Sequence, residues 1–174
     1  MCEALYFISD WEQLSSIIQV PLLKARCFDD KLNTYNTLVR YLQATGDMKG
    51  VIEKCKSVLS QLGLDLPDPV DESVIWEEIR LVEQLLKDKS EAELISLPQM
   101  TNERKMASMQ FLSHAISSAF VVDPLLSPIL VGRIVGLSIK YGVCEISSFG
   151  FAGQLFSLVC PSLCILLVTL TSTS

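Results

Sequence analysis

One histidine, a cluster of glutamates and a C-terminal dithiol are the residues that could do chemistry in this 174-residue chain. His114 lies in Phe111-Leu112-Ser113-His114-Ala115-Ile116-Ser117. A phosphoaccepting imidazole needs an acidic residue directly after it, then Arg and Thr-Pro. Here Ala115 and Ile116 follow, and no proline comes until Pro124. His114 is therefore expected to be a polar side chain on an amphipathic helix. Glu77, Glu78 and Glu83 could supply a carboxylate pair for acid–base work. They share their segment with Arg80, Lys87 and Lys89, the pattern of a solvated, charge-balanced helix face. Cys160 and Cys164 stand in an apolar tail, where inert thiols are expected instead of a redox pair. Trp11 and Trp76 occupy apolar-face positions and are core candidates first.

The motifs of nucleotide chemistry are missing. There is no GxxxxGK[ST], no GxGxxG, and no HRD or DFG. A single histidine leaves little material for a His-based metal site or a catalytic triad. The expectation is a chain with no catalytic residue, no cofactor and no metal of its own.

Composition narrows the class further. Net charge is −6 and no Lys/Arg-rich block occurs, so the electrostatic footprint of a nucleic-acid binder is absent. Hydrophobic residues make up 49 % and mean hydropathy is +0.38, with much of the excess near the C-terminus. Cys2, Cys27, Cys55, Cys144, Cys160 and Cys164 form no CxxC pair. Free, mostly buried thiols and a cytoplasmic location are expected. The opening MCEALYFISDWEQ lacks the basic and apolar regions of a signal peptide.

The elements that would carry these residues are helical throughout. Leu32, Tyr35, Leu38, Val39 and Leu42 recur at spacings of three and four. Gly46-Asp47 interrupts. Met48, Val51, Ile52, Cys55, Val58, Leu59 and Leu62 then form a second apolar face, closed by Gly63. The pair predicts an antiparallel hairpin. Pro67 and Pro69 mark a loop, and Asp71 is the N-cap of a third helix with Val74, Ile75, Trp76, Ile79, Val82, Leu85 and Leu86 inward. Glu83 and Lys87 form an i,i+4 pair in the favourable order. Ser90 with Glu93 fits a capping box for a short helix ending before Pro98. The next helix covers about residues 102–120, with Met106, Met109, Leu112, Ile116, Ala119 and Phe120 inward. Asp123-Pro124 is expected to cap a further helix that Gly142 stops, and another starts near Ser147.

A weak repeat runs through the N-terminal part. Leu5, Ser9, Trp11 and Leu14 align with Leu42, Gly46, Met48 and Val51 at an offset of 37, and Leu22 then falls on Leu59. That period suggests helix hairpins of tetratricopeptide type, whose faces are buried only by stacking. A non-repetitive helical bundle is the competing arrangement. The expected fold is all-α: antiparallel hairpins forming a tetratricopeptide-like α-solenoid fragment. Residues 1–64 would hold two degenerate hairpin repeats, residues 65–156 further hairpins after the proline loop, and residues 157–174 an apolar tail.

No charged residue follows Glu145, and residues 151–170 form a largely apolar run of membrane-spanning length. Arg133 and Lys140 would be its cytoplasmic anchors. A C-terminal tail anchor is therefore the alternative to a soluble segment with an apolar end.

Three segments carry a family resemblance. They are Tyr41-Leu42-Gln43-Ala44-Thr45-Gly46-Asp47-Met48 with its helix to Gly63 and Leu64-Asp65-Leu66-Pro67; Leu94-Ile95-Ser96-Leu97-Pro98-Gln99-Met100-Thr101; and Val122-Asp123-Pro124-Leu125-Leu126 through Leu137-Ser138-Ile139-Lys140-Tyr141-Gly142. In this order they resemble the helical region of large multidomain signalling proteins. Those proteins carry a serine/threonine kinase-like head, an AAA-type predicted ATPase, a tetratricopeptide-like region, then sensor and histidine-kinase modules. The resemblance covers residues 1–156 and lapses from Ser157. It implies a noncatalytic scaffold that couples an ATPase to a kinase output, because the family's chemistry lies in other parts of its chains. The implied partner is protein, bound on the repeat surface. A membrane contact through residues 151–170 and a small Cys- or Glu-based enzyme are the competing readings.

Overall fold

The computed structural model describes residues 27–159. Among them are seven α-helices: α1 Leu32–Ala44, α2 Met48–Gln61, α3 Glu72–Lys87, α4 Glu91–Ile95, α5 Glu103–Val122, α6 Leu126–Tyr141 and α7 Ser147–Val159. A 3₁₀ turn, Asp29–Lys31, leads into α1. The fold is all-α among the described residues. The first repeat unit, with Leu5, Ser9, Trp11, Leu14 and Leu22, lies outside them. So do Cys2, Cys160, Cys164 and the tail beyond residue 159.

Local chemistry sets most helix ends. Gly46 (φ +81°) and Gly63 (φ +76°) take the left-handed conformation just past α1 and α2. In each case two backbone N–H groups fold back onto orphan carbonyls: Gly46 to Gln43 at 3.2 Å with Asp47 to Leu42 at 2.9 Å, and Gly63 to Ser60 with Leu64 to Leu59, both at 2.9 Å. This is the Schellman closure that glycine favours. Asp47 then caps α2 by accepting from Gly50 N–H, and Asp71 caps α3 by accepting from Val74 N–H. Ser90 and Glu93 close the expected capping box on α4. Asp123 departs from expectation. It is the C-cap of α5, and α6 begins only at Leu126 without a side-chain cap. The turn is held by backbone instead, Leu126 N–H donating to Asp123 O.

Tight turns make hairpins of α1–α2 and α5–α6, and these two hairpins pack on each other chiefly through α2 and α5. The shared core holds Val51, Cys55, Val58 and Leu59 from α2 against Met109, Leu112, Ala115 and Ile116 from α5. Each large apolar side chain so buried contributes about 1.5–3 kcal/mol. α6 is apolar almost all round, and Leu126, Ile129, Leu130, Ile134 and Val135 are fully buried. A helix of that kind belongs in the middle. α5, α3 and α7 all pack on it. α3 thus leaves its neighbour in sequence, α2, and joins α6 through a small second cluster of Ile75, Ile79 and Ile129. α7 fits closely because Gly150 and Gly153 face Ile134 and Val131: a side chain at Gly150 would strike Ile134, and one at Gly153 would press tightly on Val131.

Phe120, expected inside, is 60 % exposed. Phe111, about two and a half turns earlier on α5, is buried instead. The buried strip of α5 winds between two neighbours, so its last turn points a different edge outward. Leu85 likewise lies 41 % exposed, not inward.

Gly142 ends α6 at φ +101°, and its missing side chain admits the backbone of Pro98, Gln99 and Met100. Met100 N–H donates to Val143 O and Val143 N–H to Pro98 O, each at 2.8 Å. This isolated parallel bridge ties the entry of α5 to the exit of α6.

Candidate functional site

A groove of about 440 Å³ lies between α3 and α6. The two helices lie side by side in the same direction, since Glu78 and Val82 face Gly132 while Leu85 faces Gly136. Glycines four residues apart share one helix face and allow close approach. At Gly132 a Cβ would lie 2.8 Å from Glu78 Cγ and 3.3 Å from Val82 Cγ2. At Gly136 it would meet only Leu85 Cδ1, at 3.9 Å, so this end of the contact opens into the groove.

Glu78 is buried at the closed end and pairs with Arg133 at 3.2 Å. Burial pushes its carboxyl above the ordinary range. The Arg133 charge opposes this, and neighbouring Glu77 adds to it. Arg133 Nε is buried without a hydrogen-bond partner. The expected solvated glutamate face is corrected here for Glu78, which the glycine of α6 draws inside. Glu77 remains exposed, and Glu83 makes the predicted pair with Lys87 at 3.8 Å. The three carboxylates thus take different environments.

The open end of the groove is basic and apolar. Lys105, from the first turn of α5, and Lys140, from the last turn of α6, lie 5.2 Å and 5.4 Å from the Tyr141 ring centroid. Leu81 and Leu85 line the same groove and are 50 % and 41 % exposed. Leaving two leucines half in water forgoes about 1 kcal/mol each relative to burial. The Gly132–Gly136 spacing was a readable signal of the α3–α6 contact. The Lys105–Tyr141 contact had none, because the α5–α6 turn creates it.

His114 sits far from these groups in sequence contact, between α1 and α5. Its Nδ1 lies 3.0 Å from Gln43 Oε1 and its Nε2 lies 2.9 Å from Asn36 Oδ1. Gln43 also donates to Ser117 Oγ at 2.9 Å. The histidine is a hydrogen-bonded link between hairpins, and burial, followed by the Arg40 charge, lowers its pKa. Cys55 is fully buried, and burial pushes its thiol up to about 12. Cys27 is exposed and Cys144 is half-buried. Trp76 is half-buried beside Ile75, Ile79 and Ile129, with Nε1–H donating to Glu72 at 3.4 Å. Among the described residues no group of three His, Cys, Asp or Glu could hold a metal ion. No helix of these residues is long and apolar enough to cross a membrane. No family model, curated protein or solved structure matches the chain.

Proposed function

We propose that the chain is a noncatalytic, tetratricopeptide-like helical segment that binds another protein, as a scaffold within or beside a cytoplasmic signalling ATPase/kinase. The observation that carries this is the α3–α6 groove, where Leu81 and Leu85 stand half in water beside Lys105 and Lys140. Pockets that mix apolar walls with a few convergent polar groups are where ligands and partners bind. The stacked hairpins α1–α2 and α5–α6 support the repeat part of the reading. The stack departs from a regular repeat at α3, which joins α6. The link to a signalling ATPase/kinase rests on the three resembling segments.

Photo-crosslinking from position 85 of the full chain in its native cells tests the reading. One discrete protein adduct is expected. Lipid adducts alone, or no adduct, would overturn it.

The charge-free run after Glu145 favours a second reading, a C-terminal tail anchor with a cytosolic helical domain. Against it, Gly150 and Gly153 seat the start of α7 on α6, so the first residues of that run serve helix packing. Release from membranes by carbonate without detergent would sink the anchor.

A further inference from the structure

The geometry points to the occupant of the groove: an acidic amphipathic helix of a partner protein, its apolar row on Leu81 and Leu85 and its carboxylates against Lys105 and Lys140. This deepens the scaffold reading and rests on it.

Shape argues for a helix. Leu81 and Leu85 are one turn apart on α3, and both are exposed. Across from them Gly136 leaves a notch, with Leu85 Cδ1 as the only neighbour its Cβ would meet within 4 Å. A row at spacing four beside such a notch accepts the ridge of another helix. The walls are themselves helices, and the described residues offer no strand edge there.

Charge argues for acid. Lys105 and Lys140 converge on the Tyr141 ring, and neither makes an ion pair among the described residues. Glu78 is already engaged by Arg133, and Asp88 is the remaining carboxylate lining the groove. The open end therefore keeps a positive excess in a chain of net charge −6. A carboxylate placed there gains two ammonium partners, whereas a basic helix meets two like charges. The apolar tail of this chain is not the occupant, because residues 160–174 contain no Asp or Glu.

The test uses the full chain and two synthetic helices of about five turns. Both carry leucine at spacings of three and four; one bears glutamate on the flanking positions and the other lysine. Fluorescence anisotropy is expected to show binding of the acidic helix, weakened by salt. Leu85→Ala should weaken it about fivefold. Lys105→Glu with Lys140→Glu should weaken it about tenfold and turn the preference toward the basic helix. The milder pair Lys105→Gln and Lys140→Gln, with circular dichroism as a folding check, should weaken acidic binding alone. Equal binding of both helices, or no effect of Leu85→Ala, would overturn the inference. So would a crosslink from position 85 to residues 1–26 of the same chain or to a second copy. A discrete cellular protein adduct without preference for the acidic helix overturns this inference and leaves the scaffold reading standing. Absence of any protein adduct overturns both.

Discussion

The Glu78 carboxylate meets the Arg133 guanidinium at 3.2 Å, at the place where Gly132 brings α6 against α3. The pair is buried on the glutamate side and one-third exposed on the arginine side. Such a pair costs desolvation that its attraction only partly offsets. Glu78→Ala leaves Arg133 half-buried without its carboxylate and is expected to cost about 2 kcal/mol in urea unfolding. Glu78→Leu with Arg133→Met should restore most of that loss. A double variant no better than the single would show the pair to be a net source of stability.

Gly132 and Gly136 make opposite predictions, although they share a helix face. Replacing glycine by alanine in a helix interior gains about 1 kcal/mol from propensity alone. Gly136→Ala meets only ordinary contact and should stabilise by about that amount. Gly132→Ala strikes Glu78 and Val82, and overpacking of about 1–3 kcal/mol should outweigh the gain. Paired chemical melts decide the matter, and equal effects at the two sites would refute the packing geometry.

The His114 link predicts a pH dependence. Burial first, and the Arg40 charge second, hold its folded pKa below the ordinary 6.5. The unfolded chain therefore takes up its proton at higher pH than the folded one. Stability contributed by the neutral ring is present above pH 6.5 and is lost as pH falls through that value toward the folded pKa. His114→Gln should flatten this part of the curve relative to the parent. Because Gln43 donates to Ser117 and turns its oxygen to the ring, neutral His114 should carry its proton on Nδ1. The Asn36 amide would then turn its nitrogen toward Nε2. A nitrogen-15 spectrum showing the Nε2–H tautomer at neutral pH would contradict this.

Cys55 and Cys27 should separate sharply under alkylation. Burial holds the Cys55 thiol near 12, whereas Cys27 is exposed. At pH 8 almost no Cys55 thiolate exists, and no path leads to it. Mass-spectrometric mapping after a short iodoacetamide pulse should find Cys27 modified and Cys55 protected. Cys55 should react only at denaturant concentrations that unfold the chain.

Helix ends were legible because their determinants lie within four residues of one another. Gly46, Gly63, Asp47, Asp71 and the Ser90–Glu93 box each act through backbone groups one turn away. The α1 and α2 apolar faces were legible for the same reason, since one helix period suffices to define them. Phe120 was misplaced because α5 touches α2 on one side and α6 on another, so its inward strip does not follow one straight row.

By itself the sequence determined that this protein is helical, where most of its helices stop, and that familiar catalytic motifs are missing. Tertiary structure decided which helices meet. Loop lengths allow α3 to rest on α2 or on α6, and local propensity is indifferent between them. Close approach at Gly132, with the burial of Ile75, Ile79 and Ile129, selected α6. That choice drew Glu78 inside, left Leu81 and Leu85 in water, and brought Lys105 and Lys140 to one aromatic ring. The groove exists only through contacts between residues distant in the chain, and such contacts have no local signature.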